Sequence, residues 1–213
     1  MTFTAAQPAT SAMTALVAGL DLLTSRERDA DHHALQMAAV PADRGMGDIT
    51  VATHWAQVGH LRHVALTVGA VGYSAVLWDV LAHNAAAAES LGSGVLLADR
   101  YRGEPELRDT LAAAAIAQAN RTSGRAVVFP GSSAITGTVS VGDALDQSAI
   151  NRIRVLAGDW ADREARLVTR NFVRPRWTGG ELVLDVQPAV GGTLVPVETS
   201  TPTPCCAEHV GQG

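Results

Sequence analysis

The stretch RWTGGELVLDVQPAVGGTLVPVE, residues 176–198, holds two glycine pairs, Gly179-Gly180 and Gly191-Gly192, with an apolar run between them. Glycine reaches positive φ without a Cβ clash, as tight hairpin turns require, so each pair reads as a turn and the flanking runs as strands. The strands predicted are 165–173, 181–187 and 193–198, forming a three-stranded antiparallel meander. Pro175, Pro188 and Pro196 each lack a backbone donor and belong at strand ends or on an edge.

Moving toward the N-terminus, valine, threonine and glycine still dominate back to Gly124. Residues 125–129 and 136–141 read as short strands separated by Pro130-Gly131-Ser132-Ser133. Residues 146–156 read as a helix or a strand leading to a turn at Gly158. Before Gly124 the texture is alanine-rich and helical in pattern. Met13, Leu16, Val17, Leu20 and Leu23 recur at three- and four-residue steps, which predicts a helix over 11–28 capped by Ser11. Residues 29–48 read as a loop with one short helical turn at 33–39. Residues 61–71 suit a buried strand or a buried helix, and 74–90 predict a helix ending near Gly92. Pro105, with acidic neighbours, opens a helix over 104–120.

The fold class expected is therefore α+β. A mostly helical N-terminal half (1–123) packs on a C-terminal antiparallel β-meander (124–198) within one domain (1–198). An extended Pro/Thr-rich tail follows (199–213). With 47% apolar residues in 213, the chain can bury one substantial core.

All 16 basic residues are arginine, and the chain has no lysine; with abundant alanine, valine and glycine this reads as the high-GC coding bias of an actinobacterial gene. A net charge of −5 argues against a nucleic-acid partner, because non-specific affinity for nucleic acid comes from surplus basic residues. The sequence predicts no membrane-spanning run and no signal peptide, hence a cytoplasmic protein. Its only two cysteines, Cys205 and Cys206, are adjacent and close no loop, so they are expected as thiols rather than as a structural disulfide.

That pair carries the first functional expectation. Thiolates are soft ligands, and His209 follows three positions after Cys206. The tail thus offers two sulfurs and a nitrogen to a soft or borderline metal such as zinc or copper. Neighbouring thiols also form strained, easily reduced disulfides, which suit exchange chemistry. The Cys205-Cys206-Ala207 end resembles the C-terminal cysteine pairs of mercuric reductase and of some thioredoxin reductases. The resemblance implies an arm passing soft metal or electrons to a buried centre. The flavin-binding glycine fingerprint and the Cys-x4-Cys pair of those enzymes are absent here. A ferric-siderophore-reductase-like cluster needs a following Cys-x-x-Cys, also absent. The expectation is an accessory protein or small enzyme of metal-binding or thiol-redox type, with the cysteines and His209 as ligands.

An alternative expectation rests on arginine. Residues 152–177 hold seven arginines against Asp159, Asp162 and Glu164. Arg174 and Arg176 alternate on an extended segment and share a face, with Arg170, Phe172 and Trp177 close by. Forked guanidinium groups so placed grip a carboxylate or phosphate, which points to a non-catalytic protein that recognises a small anionic ligand or a protein partner through Arg170, Arg174 and Arg176. Six histidines crowd the first 83 residues. His60 and His63 would share a face if 53–66 were helical, and Asp31 precedes His32-His33. No His-Glu-x-x-His pattern accompanies them. Gly72-Tyr73-Ser74-Ala75-Val76 lacks the closing glycine of a nucleophile elbow.

Overall fold

The computed structural model describes residues 14–43, 45–72, 74–87 and 93–200. Far from having a helical first half, the chain is mostly β. Strand accounts for 42% and helix for 27%, and a single 12-stranded mixed sheet runs through both halves. The expectation of a helical N-terminal half on a separate meander is overturned.

The first strand, β1 (Thr14–Thr24), occupies the span predicted as helix. Residues four apart lie on one face in either structure, so Leu16 and Leu20 satisfy both periods. The deciding positions are Ala18 and Leu22, which join them in one core, while Gly19 and Asp21 point the other way. Ser11 and Met13 lie outside the described residues. Helix α1 (Glu27–Asp43) replaces the predicted loop; its buried stripe, Ala30, Ala34 and Met37, has helical spacing but small side chains.

Strands β2 (Gly47–Val58) and β3 (Leu61–Gly72) form a long hairpin turning at Gly59 (φ 57). His60 therefore sits in the turn, and the helical face imagined for His60 and His63 does not exist. Helix α2 (Ser74–Ala87) matches its predicted span to within a few residues. Strands β4 (Gly94–Leu97) and β5 (Arg100–Gly103) complete the outer edge. Pro105–Leu107 forms a 3-10 turn leading into α3 (Arg108–Ala119), close to the helix predicted. The N-terminal strands lie in the order β5-β4-β1-β3-β2. Helices α1 and α2 cover one face around Leu20, Leu66, Val68, Leu77 and Leu81. Helix α3 covers the other over Ala65, Leu96 and Leu111. Gly19 admits α3 closely: a Cβ there would lie 3.1 Å from the Leu111 side chain.

Strand β6 (Arg125–Val128) pairs with β2 and carries the sheet into the second half. There follow β7 (Thr138–Ser140), the short helix α4 (Val141–Asp146), β8 (Arg152–Val155), β9 (Arg166–Val168), β10 (Arg176–Thr178), β11 (Glu181–Ala189) and β12 (Thr193–Pro196). Ser140 caps α4 by accepting the Asp143 amide at 2.9 Å.

Both glycine pairs make the expected turns, but they do not build the expected meander. The strand before Gly179-Gly180 is β10, not 165–173, and β9 instead pairs parallel to β12. Val183 pairs with Arg176 of β10 and Arg152 of β8, while Val186 pairs with Pro196 of β12 and Val155 of β8. A residue has only two ladder edges. With β8 running along one of them, β10 and β12 lie end to end along the other. Leu182, Leu184 and Val186 face the second core with Phe129, Ile135 and Ile153, so Val183 and Asp185 face the opposite side. A notch opens on that side, where β10 begins and β12 ends.

Candidate functional site

The notch is a cleft of about 750 Å³ between the first two turns of α1 and the Val183–Asp185 stretch of β11. Phe172, Val183, Pro196 and Val197 supply apolar wall, and Thr199 and Ser200 lie at its margin. The charged groups are Glu27, Arg28 and Asp31 from α1, Arg125 from β6, Arg174 and Arg176 before and in β10, Asp185 from β11, and Glu198 after β12.

Arg125 is the hub and is 2% exposed. Its Nη1 and Nη2 donate to the two oxygens of Asp31 at 2.5 and 3.0 Å, its Nε donates to Glu198 Oε1 at 2.7 Å, and Nη2 also reaches that oxygen. Burial alone would lower its pKa, but bonds to two carboxylates hold it above the ordinary arginine value. Arg174 shares Asp31, donating from Nε to Oδ2 at 3.0 Å and from Nη1 to the Val173 carbonyl at 3.0 Å. Its Nη2 makes no hydrogen bond among the described residues. Arg174 lies 4.1 Å from the Phe172 ring centre. Here burial prevails over the attraction of Asp31, and the pKa of Arg174 is lowered. Arg176, half exposed, donates to Glu198 Oε2 at 3.3 Å.

Four arginines and four carboxylates line the cleft. Asp185, however, is held from outside the lining by Arg154, through bonds of 2.7 and 3.1 Å. Glu27, which accepts from Trp55 Nε1 at 3.0 Å, and Arg28, exposed and without an ion pair among the described residues, both stand outside the hydrogen-bonded arginine network. Three guanidinium groups then face two carboxylates, and the interior network carries one surplus positive charge.

Of the predicted arginines, the structure brings Arg174 and Arg176 together and leaves Arg170 apart. Arg170 is an exposed turn residue with left-handed backbone (φ 52) and does not line the cleft. The other arginines of the basic stretch are partly neutralised by Arg152–Glu181 and Arg163–Asp146 pairs. Cys205, Cys206 and His209 lie outside the described residues.

The N-terminal histidines do not assemble a site, and among the described residues no three His, Cys, Asp or Glu side chains converge. His63 is fully buried, its Nε2 2.6 Å from Asp21 Oδ2 and its Nδ1 without a hydrogen-bond partner among the described residues. His54 Nε2 lies 2.9 Å from Thr67 Oγ1. Asp31, beside His32-His33, serves arginines rather than a metal. No long apolar helix able to cross a membrane occurs among the described residues. No known protein family, curated protein or solved structure matches the chain.

Proposed function

We propose that this chain binds a small organic anion with an apolar body in the arginine cleft. The observation that carries this reading is Arg174, a largely buried guanidinium that, among the described residues, leaves Nη2 without a hydrogen bond and pairs with one carboxylate, Asp31, which it shares with Arg125. An anion arriving there supplies the counter-charge that burial makes valuable, and Phe172, Val183 and Val197 offer contact to the rest of the ligand. Calorimetric titration of the full chain with benzoate and with benzyl alcohol is the direct test. Benzoate is expected to bind and benzyl alcohol to fail. The Arg174→Met variant should bind benzoate at least about tenfold more weakly, the loss of one charge-assisted hydrogen bond. Equal binding of the two probes sinks the reading.

A second reading is favoured by one placement. Thr199 and Ser200, at the cleft margin, lead directly into the tail, and Cys205 follows Ser200 by five residues, a reach of at most about 18 Å. In this reading the dithiol, with His209, works as a soft-metal or exchange group upon what the cleft holds, in a reducing cytoplasm. Elemental analysis of the full chain purified without chelator, beside the Cys205→Ser/Cys206→Ser variant, decides it. Zinc or copper is expected in the first and not in the second; metal in neither removes the metal role.

A further inference from the structure

We propose that Glu198 is a built-in counter-anion that sets the cleft's ligand class, admitting monoanionic carboxylates and disfavouring dianionic phosphates. The inference rests on the reading of the cleft as an anion site. Both oxygens of Glu198 are committed, Oε1 to Arg125 and Oε2 to Arg176. Its side chain is 29% exposed against 2% for Arg125, so it closes the network on the solvent side, where an incoming anion would otherwise meet two guanidinium groups.

Asp31 plays a different part. It is nearly as buried as the arginines it joins, and its two oxygens bridge Arg125 to Arg174. Removing Asp31 would unmake the site, whereas Glu198 only occupies one end of it. With Glu198 in place the surplus is a single positive charge, which one carboxylate neutralises. A phosphate monoester at neutral pH brings nearly two, and the second stays uncompensated in a half-enclosed cleft. Replacing Glu198 by a neutral residue raises the surplus to two and frees the donors it holds, Arg125 Nε and Arg176 Nη2, for the oxygens of a phosphate, while Arg125 keeps its two bonds to Asp31.

The test measures affinities of phenylacetate and phenyl phosphate for the full-length wild type and for Glu198→Gln, with Glu198→Ala as a second neutral replacement and Glu198→Asp as a charge-keeping control. Wild type is expected to prefer phenylacetate. In the neutral variants the phosphate-to-carboxylate affinity ratio should rise at least about tenfold, while Glu198→Asp keeps the wild-type preference. A ratio unchanged in both neutral variants, or shifted equally by Glu198→Asp, overturns the role of Glu198 while leaving the anion cleft standing. Failure of wild type and all variants to bind either compound removes the cleft reading itself.

Discussion

At the scale of single residues, the folded chain makes two ionisable groups answerable to measurement. His54 is 9% exposed, and burial lowers its pKa to about 4. In the unfolded chain an imidazole takes its proton near pH 6.5, so between that value and about 4 the unfolded state binds more protons than the folded one. Stability should therefore fall as pH drops through this window, by about 3 kcal/mol in all at 1.36 kcal/mol per unit. Urea denaturation at pH 7 and pH 4.5 measures it. His54→Gln should flatten most of the slope, and an unchanged slope would place the proton uptake elsewhere. Arg125→Met strands Asp31 and Glu198 without their main partner and is expected to cost about 3–5 kcal/mol, read from the same denaturation curves. Arg174 and Arg176 were legible in sequence because alternate residues of an extended segment share a face. Their carboxylate partners were not. Asp31 lies 143 positions from Arg174, and Glu198 lies 73 from Arg125, distances at which no local pattern speaks.

At the scale of elements, turns declared themselves and buried strands did not. Gly179-Gly180 and Gly191-Gly192 have positive φ at all four positions, as their composition predicted. Strand β3 carries an unbroken buried run from His63 to Val68, because helices cover both of its faces, so it lacks the alternation that marks a half-exposed strand. The same double cover let β1 pass for a helix. Gly131 shows how strongly one turn holds its neighbours. It has φ 79, a Cβ there would lie 2.0 Å from the Gln147 carbonyl oxygen, and the adjacent Pro130 carbonyl accepts the Ala149 amide at 2.9 Å. Gly131→Ala should cost at least about 2 kcal/mol. Gly137→Ala, with similar φ but open space around it, should cost about 1 kcal/mol. Equal denaturation midpoints for the two variants would show that the loop yields freely.

At the scale of the whole molecule, two cores meet through β6. Val127 belongs to the core under α1 and α2, while Ala126 and Phe129 belong to the core behind β11. The link between β6 and β10 is a single register pair, Arg125 with Arg176. The Arg125 side chain adds ties to α1 through Asp31 and to the segment after β12 through Glu198. Wild-type calorimetry is expected to show one transition. Arg125→Met should broaden or split it, with calorimetric enthalpy exceeding the van't Hoff value; one sharp transition in the variant would show that the backbone ladder alone couples the cores.

The arrangement along β11 also makes the cleft's dimensions adjustable. Of its nine residues, Glu181–Val183 pair with β10 and Val186–Ala189 with β12, which leaves Leu184 and Asp185 as a spacer between the two hairpins. Two residues added at that spacer, matched by two in β8, which pairs with Val183–Val186 along the other edge, keep every side chain on its own face and both glycine turns intact, yet move the hairpins apart by about 6.6 Å. The β8–β11 pair thus works like a ruler, on which a lineage can reset the size of the bound molecule without redesigning either wall.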